Sequence, residues 1–145
     1  MIFLDTNIIL RFLMKPTDAN SARMGAAAQS LIEAIESGNV EATLSEVVFH
    51  EVCYVLGAKS HFGLDWSQIA DILAPILEMR SLKLSPLERN IYLRALEIAA
   101  NDPKLESADA LILARCEHES HDLATFDRRM RRHASVSLIN LLDLE

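Results

Sequence analysis

The chain has 145 residues, of which half are hydrophobic, and it contains only four glycines and four prolines. This composition excludes a disordered or low-complexity protein and is typical of one compact, helix-rich domain, here residues 1–145. The formal net charge of −7 argues against nucleic-acid binding across the whole surface, because phosphate contacts require Lys and Arg, so any such site must be local.

The first half of the chain alternates short apolar runs with helical patterns. Ile2-Phe3-Leu4 is fully apolar and predicts a strand buried on both faces that ends at Asp5. The other elements predicted here are a short helix over 8–13 broken at Pro16, a helix over 19–36 stopped by Gly38, a strand over 40–44 and a helix over 46–59. The apolar face of that last helix is predicted to be Val47, Val48, Val52, Tyr54, Val55 and Leu56.

The second half begins with two helix-capping patterns. Asp65, with Gln68 three residues later, predicts a capped helix that ends near Met79. Ser85-Pro86-Leu87-Glu88 supplies a cap, a proline at the first helical position and a capping-box Glu, and predicts a helix to about Ala100. A further helix is predicted from Ser107, and strands are predicted over 82–84, 122–125 and 136–139.

Strands that alternate with helices predict an α/β fold in which helices cover both faces of a small parallel sheet. Binding sites in such sheets lie beyond the carboxyl ends of the strands. Asp5 and Asp127 each follow a predicted strand, so both are expected at that edge of the sheet.

The sequence shows no targeting or membrane segment. The N-terminus lacks a basic region and a cleavage pattern, and no apolar run approaches the ~18–20 residues that a membrane-spanning helix needs. Cys53 and Cys116 lie in apolar segments and are interpreted as buried free thiols of a reducing compartment. A soluble, cytoplasmic protein is therefore expected.

Two acidic residues lie among apolar neighbours on predicted helices. Glu51 has Val47 and Tyr54 at helical spacing, and Asp109 has Leu113 four residues later. An unpaired buried carboxylate costs several kcal/mol, so each must be compensated. The alternatives are an ion pair or a position at the domain edge for Glu51, and a favourable first-turn position for Asp109.

Other acids also have simple structural alternatives. Asp5 and Asp127 each precede a predicted helix or turn and could be caps, and Glu106 could be an N-terminal helix residue. If instead Asp5, Glu51, Asp109 and Asp127 converged, they would repel one another unless a divalent cation lay between them. Oxygen ligands suit Mg²⁺ or Mn²⁺, which support in-line phosphoryl displacement. Spacing alone does not establish convergence.

Four segments, in order, resemble the motifs of PIN domains, especially those of VapC-type toxins from bacterial and archaeal toxin–antitoxin pairs. They are Phe3-Leu4-Asp5-Thr6-Asn7-Ile8-Ile9-Leu10-Arg11, Ser45-Glu46-Val47-Val48-Phe49-His50-Glu51-Val52, Glu106-Ser107-Ala108-Asp109-Ala110-Leu111-Ile112 and Leu123-Ala124-Thr125-Phe126-Asp127-Arg128. The resemblance covers nearly the whole chain, and the ordered set is far more specific than an isolated Asp-Thr-Asn.

The resemblance implies an α/β/α sandwich around a small central parallel sheet. It implies that Mg²⁺ or Mn²⁺ is held by an acidic cluster of Asp5, Glu51, Asp109 and Asp127, with Asp5 and Asp109 as the foremost ligands. Thr6, Asn7 and Thr125 would orient the carboxylates, water or scissile phosphate. Glu106 matches a further acid that is usually Asp in the family.

The implied reaction is metal-assisted hydrolysis of RNA phosphodiesters, which leaves a 5′-phosphate and a 3′-hydroxyl without a covalent nucleophile. The resemblance thus implies an endoribonuclease that acts as the toxin of a toxin–antitoxin pair. An RNA substrate, a cognate antitoxin and a homodimer are the implied partners. The alternative is a catalytically silent PIN-like binding module that scaffolds a protein or RNA complex, which the four intact acids disfavour.

Three further features were weighed against this interpretation. Arg128, Arg129, Arg131 and Arg132 form the one dense basic run, either a solvated helix end or a site for the RNA backbone beside Asp127. His50-Glu51 is not a zinc-protease motif because position 54 is Tyr, and His61, His118, His121 and His133 show no ligand spacing. The apolar residues of 19–35 and 65–79 either pack in the core or bind a partner.

Overall fold

The computed structural model describes residues 1–133 and 136–141, and within these ranges the chain forms two short strands and seven helices. The elements are β1 (Ile2–Phe3), α1 (Thr6–Leu13), α2 (Ala19–Glu36), β2 (Ala42–Thr43), α3 (Glu46–Gly57), α4 (Trp66–Leu77), α5 (Pro86–Asn101), α6 (Ser107–Glu119) and α7 (Arg128–Arg131). The predicted helices agree with these bounds to within a few residues.

The sheet is small and parallel, which confirms the predicted α/β fold of the PIN type. Strand β1 pairs with β2 so that Ile2 lies opposite Ala42, and Ala42 also forms a parallel bridge to Leu82. The predicted strands are longer than the observed ones. Residues 82–84, 122–125 and 136–139 contribute only single bridges, the latter two through Leu123 and Leu138.

Local hydrogen bonding explains why the strands are short. The N–H of Val40 bonds to the carbonyl of Ala34 in the last turn of α2, so Val40 closes that helix instead of starting β2. The N–H of Leu84 bonds to Leu82 and turns the chain away from the sheet. The apolar pattern therefore predicts more strand residues than form hydrogen bonds to a neighbouring strand.

The prediction that Ile2-Phe3-Leu4 is buried on both faces is wrong for two of its three residues. Phe3 is 60% exposed and Ile2 is 41% exposed, whereas Leu4 is fully buried. In the described part of the chain β1 has a strand partner on one side only. The side chains of an edge strand are covered less completely than those of a central strand. Apolar composition alone does not distinguish an edge strand from a central one.

Helix α3 packs against several other helices. It contacts α1, α4 and α6, and its buried positions are Val48, Phe49, Val52, Cys53 and Leu56. The ring of Phe49 stacks on Tyr92 of α5 with centroids 4.9 Å apart. The predicted face of this helix is wrong for Val47 and Tyr54, which are 67% and 68% exposed. With 3.6 residues per turn they share a face with Glu51, opposite the core stripe.

The caps and thiols agree with the sequence in part. Asp65 and Gln68 form the predicted reciprocal capping box. Ser85 accepts a hydrogen bond from the N–H of Glu88, but the reciprocal half is missing because the Glu88 carboxylate accepts the hydroxyl of Tyr92 instead. Both cysteines are free; Cys53 is buried, which raises its pKa to about 12, but Cys116 is only partly buried, contrary to expectation.

Two further findings concern helix surfaces. In α4, the apolar residues Ile69, Leu73, Ile76 and Leu77 are buried in the core, whereas Trp66, Ala70, Ile72 and Ala74 are only partly buried. In α2, only Ser21, Ala28, Ile32 and Ile35 are buried. No helix within residues 1–133 and 136–141 has the length and apolar character needed to cross a membrane.

Replacement of Phe49 by Ala should lower the free energy of unfolding by about 3–5 kcal/mol, because it removes a buried ring and leaves a cavity beside Tyr92. Val47→Ala, two residues earlier on the exposed face of the same helix, should change the free energy of unfolding by less than about 0.5 kcal/mol. Urea denaturation with a constant m value measures both. Equal losses for the two variants would contradict the assigned orientation of α3.

Candidate active site

The first group of candidate residues lies where β1 passes into α1. Thr6 is buried, and its hydroxyl donates a hydrogen bond of 2.5 Å to a carboxylate oxygen of Glu51 on α3. The bond joins residues 45 positions apart in sequence. It fixes the direction of the Glu51 side chain relative to the start of α1.

Asp5 occupies the N-cap position of α1, but its side chain makes no capping hydrogen bond. The capping alternative raised from the sequence is therefore not observed for this residue. Asp5 is exposed at a cleft of about 590 Å³, here called the acidic cleft. The cleft is lined by Asp5, Thr6, Asn7, Leu10, His50, Glu51, Tyr54 and Val55.

The environment of Glu51 differs from the sequence prediction. Its apolar neighbours suggested a buried carboxylate that needs compensation, but Glu51 is exposed. Val47 and Tyr54 share its face and are exposed as well, so an apolar face of this helix is directed to solvent. The carboxylate is available from solvent and is oriented by Thr6.

The second group surrounds the start of α6. Burial raises the pKa of Asp109, and the nearby negative charges of Asp127 and Glu106 raise this pKa further. A hydrogen bond from the backbone of Glu106 and the positive charge of Arg129 act in the opposite direction. Because the charges of Asp127 and Glu106 both act on the pKa of Asp109, three acids from two segments of the chain lie near one another.

Asp127 caps α7, as the structural alternative from the sequence proposed. One carboxylate oxygen, Oδ1, accepts the N–H groups of Arg129 and Met130 at 2.8 and 3.1 Å. The hydroxyl of Thr125 accepts the N–H of Asp127 at 3.0 Å and so holds the turn before the cap. Capping uses Oδ1 alone, so it leaves Oδ2 for another partner.

A hydrogen bond that sequence reasoning missed links the two groups. Nδ1 of His50 on α3 lies 2.5 Å from the hydroxyl of Ser107, the first residue of α6. His50 also lines the acidic cleft. In the sequence, the one signal for a role of His50 is its position directly before Glu51. The other histidines are exposed or partly buried, as expected.

The structure keeps the acids in two groups. In the described ranges, no three His, Cys, Asp or Glu residues stand together as a set that could hold a metal ion. Asp5 and Glu51 lie at the acidic cleft, whereas Asp109, Asp127 and Glu106 lie around the start of α6. Convergence of all four acids on one ion therefore stays a prediction.

The basic run divides into two pairs. A guanidinium N–H of Arg129 donates to the carbonyl of Lys104 at 2.9 Å, and one of Arg131 donates to that of Thr125 at 3.0 Å. Arg128 and Arg132 are exposed and form no side-chain hydrogen bond or ion pair within residues 1–133 and 136–141. One pair braces loops beside the acids, and the other is open to a ligand.

Comparison with known families matches residues 2–136 to the PIN domain. The match covers most of the chain, so the protein belongs to the PIN domain family, whose members are generally nucleases and generally use divalent metal ions. Comparison with curated proteins gave no match. The all-oxygen donors of Asp5, Glu51, Asp109 and Asp127 fit such an ion in their chemistry.

The variant Asp109→Asn distinguishes whether Asp109 is a metal ligand or a structural acid. Mn²⁺ at about 100 times its dissociation constant should stabilise the native protein by about 2.7 kcal/mol and raise the melting temperature by ~5–10 °C. The variant should lose most of this rise, because one ligand is gone, yet melt higher than the wild type in EDTA, because one repulsive charge is gone. Calorimetry of both proteins, each with EDTA and with Mn²⁺, measures the four values.

The pH dependence provides a control for the same variant. An acid with a raised native pKa destabilises the fold once the unfolded chain has lost its proton, so the destabilisation is absent below pH 3.8 and complete above the native pKa. With EDTA, the advantage of Asp109→Asn should therefore vanish as the pH falls toward 3.8. A variant that keeps the full Mn²⁺ shift would show that Asp109 is not a ligand.

Proposed function

We propose that this PIN domain protein is a metal-dependent endoribonuclease and the toxin of a type II toxin–antitoxin pair. The proposal rests on the position and the hydrogen bonding of the Asp5 carboxylate. This carboxylate stands at the N-terminus of a helix without capping it, at the mouth of the acidic cleft and beside a Glu51 that Thr6 has oriented. A carboxylate left free in this way is available to a cation.

Asp5, Glu51, Asp109 and Asp127 are the proposed ligands of Mg²⁺ or Mn²⁺. The bound ion would activate water and neutralise charge during displacement at phosphorus. The protein's own groups prepare the site. Thr6 orients Glu51, and Thr125 holds the turn that presents Asp127. The amide of Asn7 lines the acidic cleft, where it would orient water or the scissile phosphate.

RNA is the proposed substrate, and the arginines of the basic run are its proposed backbone contacts. The net charge of −7 means that phosphates are repelled by most of the surface, so binding depends on local cations. Arg128 and Arg132 are exposed directly after Asp127 and have their guanidiniums free for phosphate in the described structure. Arg129 lies close enough to Asp109 to affect its pKa.

The toxin assignment predicts an antitoxin and a second copy of the chain as partners. Helix α2 offers a surface for one of them, because most of its 18 residues are exposed and Met24 is among the exposed apolar side chains. Helix α4 is the alternative surface for a partner, because its apolar residues Trp66 and Ile72 are only partly buried. The free thiols of Cys53 and Cys116 fit the cytoplasm as the proposed location.

A second candidate is a catalytically silent binding module. The specific observation in its favour is that no three acids of the described chain are arranged to hold one ion. The capping role of Asp127 gives one acid a purely structural use as well. A silent module would still bind RNA or protein but would not require a metal for any activity.

The purified protein should cleave RNA only when Mg²⁺ or Mn²⁺ is present, and Asp5→Asn should abolish cleavage while circular dichroism stays native. Asp71→Asn is the matched control, because Asp71 is an exposed acid on α4 outside both groups, and it should leave cleavage unchanged. Product RNA on a denaturing gel, with and without EDTA, provides the measurement. Undiminished cleavage in excess EDTA rules out the metal mechanism, and no cleavage with any ion favours the silent module.

The two pairs of arginines should respond differently to substitution. Arg128→Gln with Arg132→Gln should weaken RNA binding and reduce the log–log salt slope by about 0.7 for each lost phosphate contact with a single strand, without loss of stability. Arg129→Gln with Arg131→Gln should also lower the melting temperature, because it removes bonds to the carbonyls of Lys104 and Thr125. An unchanged slope in the first variant would make the run a solvated helix end.

A further inference from the structure

A second cleft adjoins the acidic cleft on the far side of Tyr54. Its volume is about 640 Å³, and it lies between the end of α3, the start of α4 and the segment that leads into α6. His50 and Tyr54 line both clefts, so the two are neighbours along α3. We call the second one the aromatic cleft, after Tyr54 and Trp66 in its wall.

Tyr54 has the features of a stacking platform. It is 68% exposed, and it stands one helical turn from Glu51. Tyr54 does not belong to the core of the protein, in contrast to Phe49 and Tyr92, whose rings are buried against each other. Trp66, which packs partly against the core, adds a second ring to the same wall. Exposed aromatic faces bind unstacked nucleobases independently of sequence.

Two lysines supply local positive charge to the aromatic cleft. Lys59 and Lys104 are exposed in its lining, and neither forms an ion pair in the part of the chain that the structure describes. The cleft lining also contains two acids, so the lysines act as individual cations and not as a net positive patch. Asp65 accepts the N–H of Gln68 as the cap of α4, and Glu106 belongs to the group around Asp109. Unpaired lysines on a chain of net charge −7 are suited to phosphates.

We propose that single-stranded RNA continues from the acidic cleft into the aromatic cleft, with a base stacked on Tyr54 and flanking phosphates at Lys59 and Lys104. The proposal rests on the proposed ribonuclease function, since it extends the substrate beyond the bond that is cut. It assigns to this surface a nucleotide subsite next to the basic run of α7, whose Arg129 donates a hydrogen bond to the carbonyl of Lys104. Tyr54 would fix which phosphodiester lies at the acids.

The combination of a concave wall, an exposed ring and lysines favours a single strand over a duplex. Bases of a duplex are stacked on each other, whereas loops and unpaired ends can place a base on an aromatic side chain. A protein segment is the competing occupant. A peptide would use the apolar wall and pair its own carboxylates with the lysines, so the comparison of single strand and duplex decides between the two occupants.

The test measures binding of fluorescein-labelled single-stranded RNA and of a duplex of the same sequence. All proteins carry Asp5→Asn so that no RNA is cut. Tyr54→Leu keeps the apolar bulk but removes the ring, and it should weaken single-strand affinity about tenfold, while duplex affinity changes little. Tyr54→Phe keeps the ring and should retain the affinity.

The lysines are tested through salt dependence. Lys59→Gln combined with Lys104→Gln should reduce the log–log salt slope by about 1.4, which is about 0.7 for each phosphate contact with a single strand. Lys83→Gln is the matched control and should leave the slope unchanged, because the Lys83 ammonium already lies 3.5 Å from Glu41 and outside the cleft.

The outcomes separate this proposal from the proposed function. Cleavage by the protein with native Asp5 is measured independently, and its absence would contradict the ribonuclease assignment without affecting the binding data. If Tyr54→Leu and the double lysine variant both retain single-strand affinity, the proposal is overturned and the cleft is left to a protein partner. Equal losses for single strand and duplex would also overturn it, because stacking would then not be the cause.

Discussion

The two faces of α3, one packed in the core and one directed to solvent, fix the positions of the candidate site residues. One face is packed against α1, α4 and α6 through residues such as Phe49 and Val52, and this packing allows the helix one orientation only. The helical period then directs Glu51 and Tyr54 away from the core. Because the same packing fixes α1 and α6, the hydrogen bonds from Thr6 to Glu51 and between His50 and Ser107 can form at set positions.

Electrostatic repulsion makes it costly to bring the acids together. Asp109 already has a raised pKa from burial and from the charges of Asp127 and Glu106, so bringing Asp5 and Glu51 into the same place would raise the cost further. The described structure keeps the two groups apart and ties their helices together through His50 and Ser107. A divalent cation is the kind of ligand that would offset repulsion between the groups, which connects the geometry to the metal use general in this family.

The balance of charge also bears on the proposed recognition of RNA. Six of the fourteen Lys and Arg residues lie in two places near the acids, on α7 and in the aromatic cleft. The guanidinium groups of Arg129 and Arg131 donate hydrogen bonds to backbone carbonyls of the protein. Those of Arg128 and Arg132 do not in the described residues. Local recognition of this type favours a substrate that can follow a groove past the acids, and a flexible single strand does so more easily than a stiff duplex.

Six of the seven described helices, the parallel α/β fold and the family could be predicted from the sequence, because helical periods and caps such as that of Asp65 are local, and the four motifs occur in order. The sequence also selected the acids as candidates. The tertiary structure decided what depends on partners distant in sequence: the exposure of Phe3 on an edge strand, the outward face of α3 with Tyr54, and the use of Asp127 but not Asp5 as a cap. The hydrogen bond of His50 with Ser107 spans 57 positions, and no local pattern encodes a contact between side chains that only folding brings together.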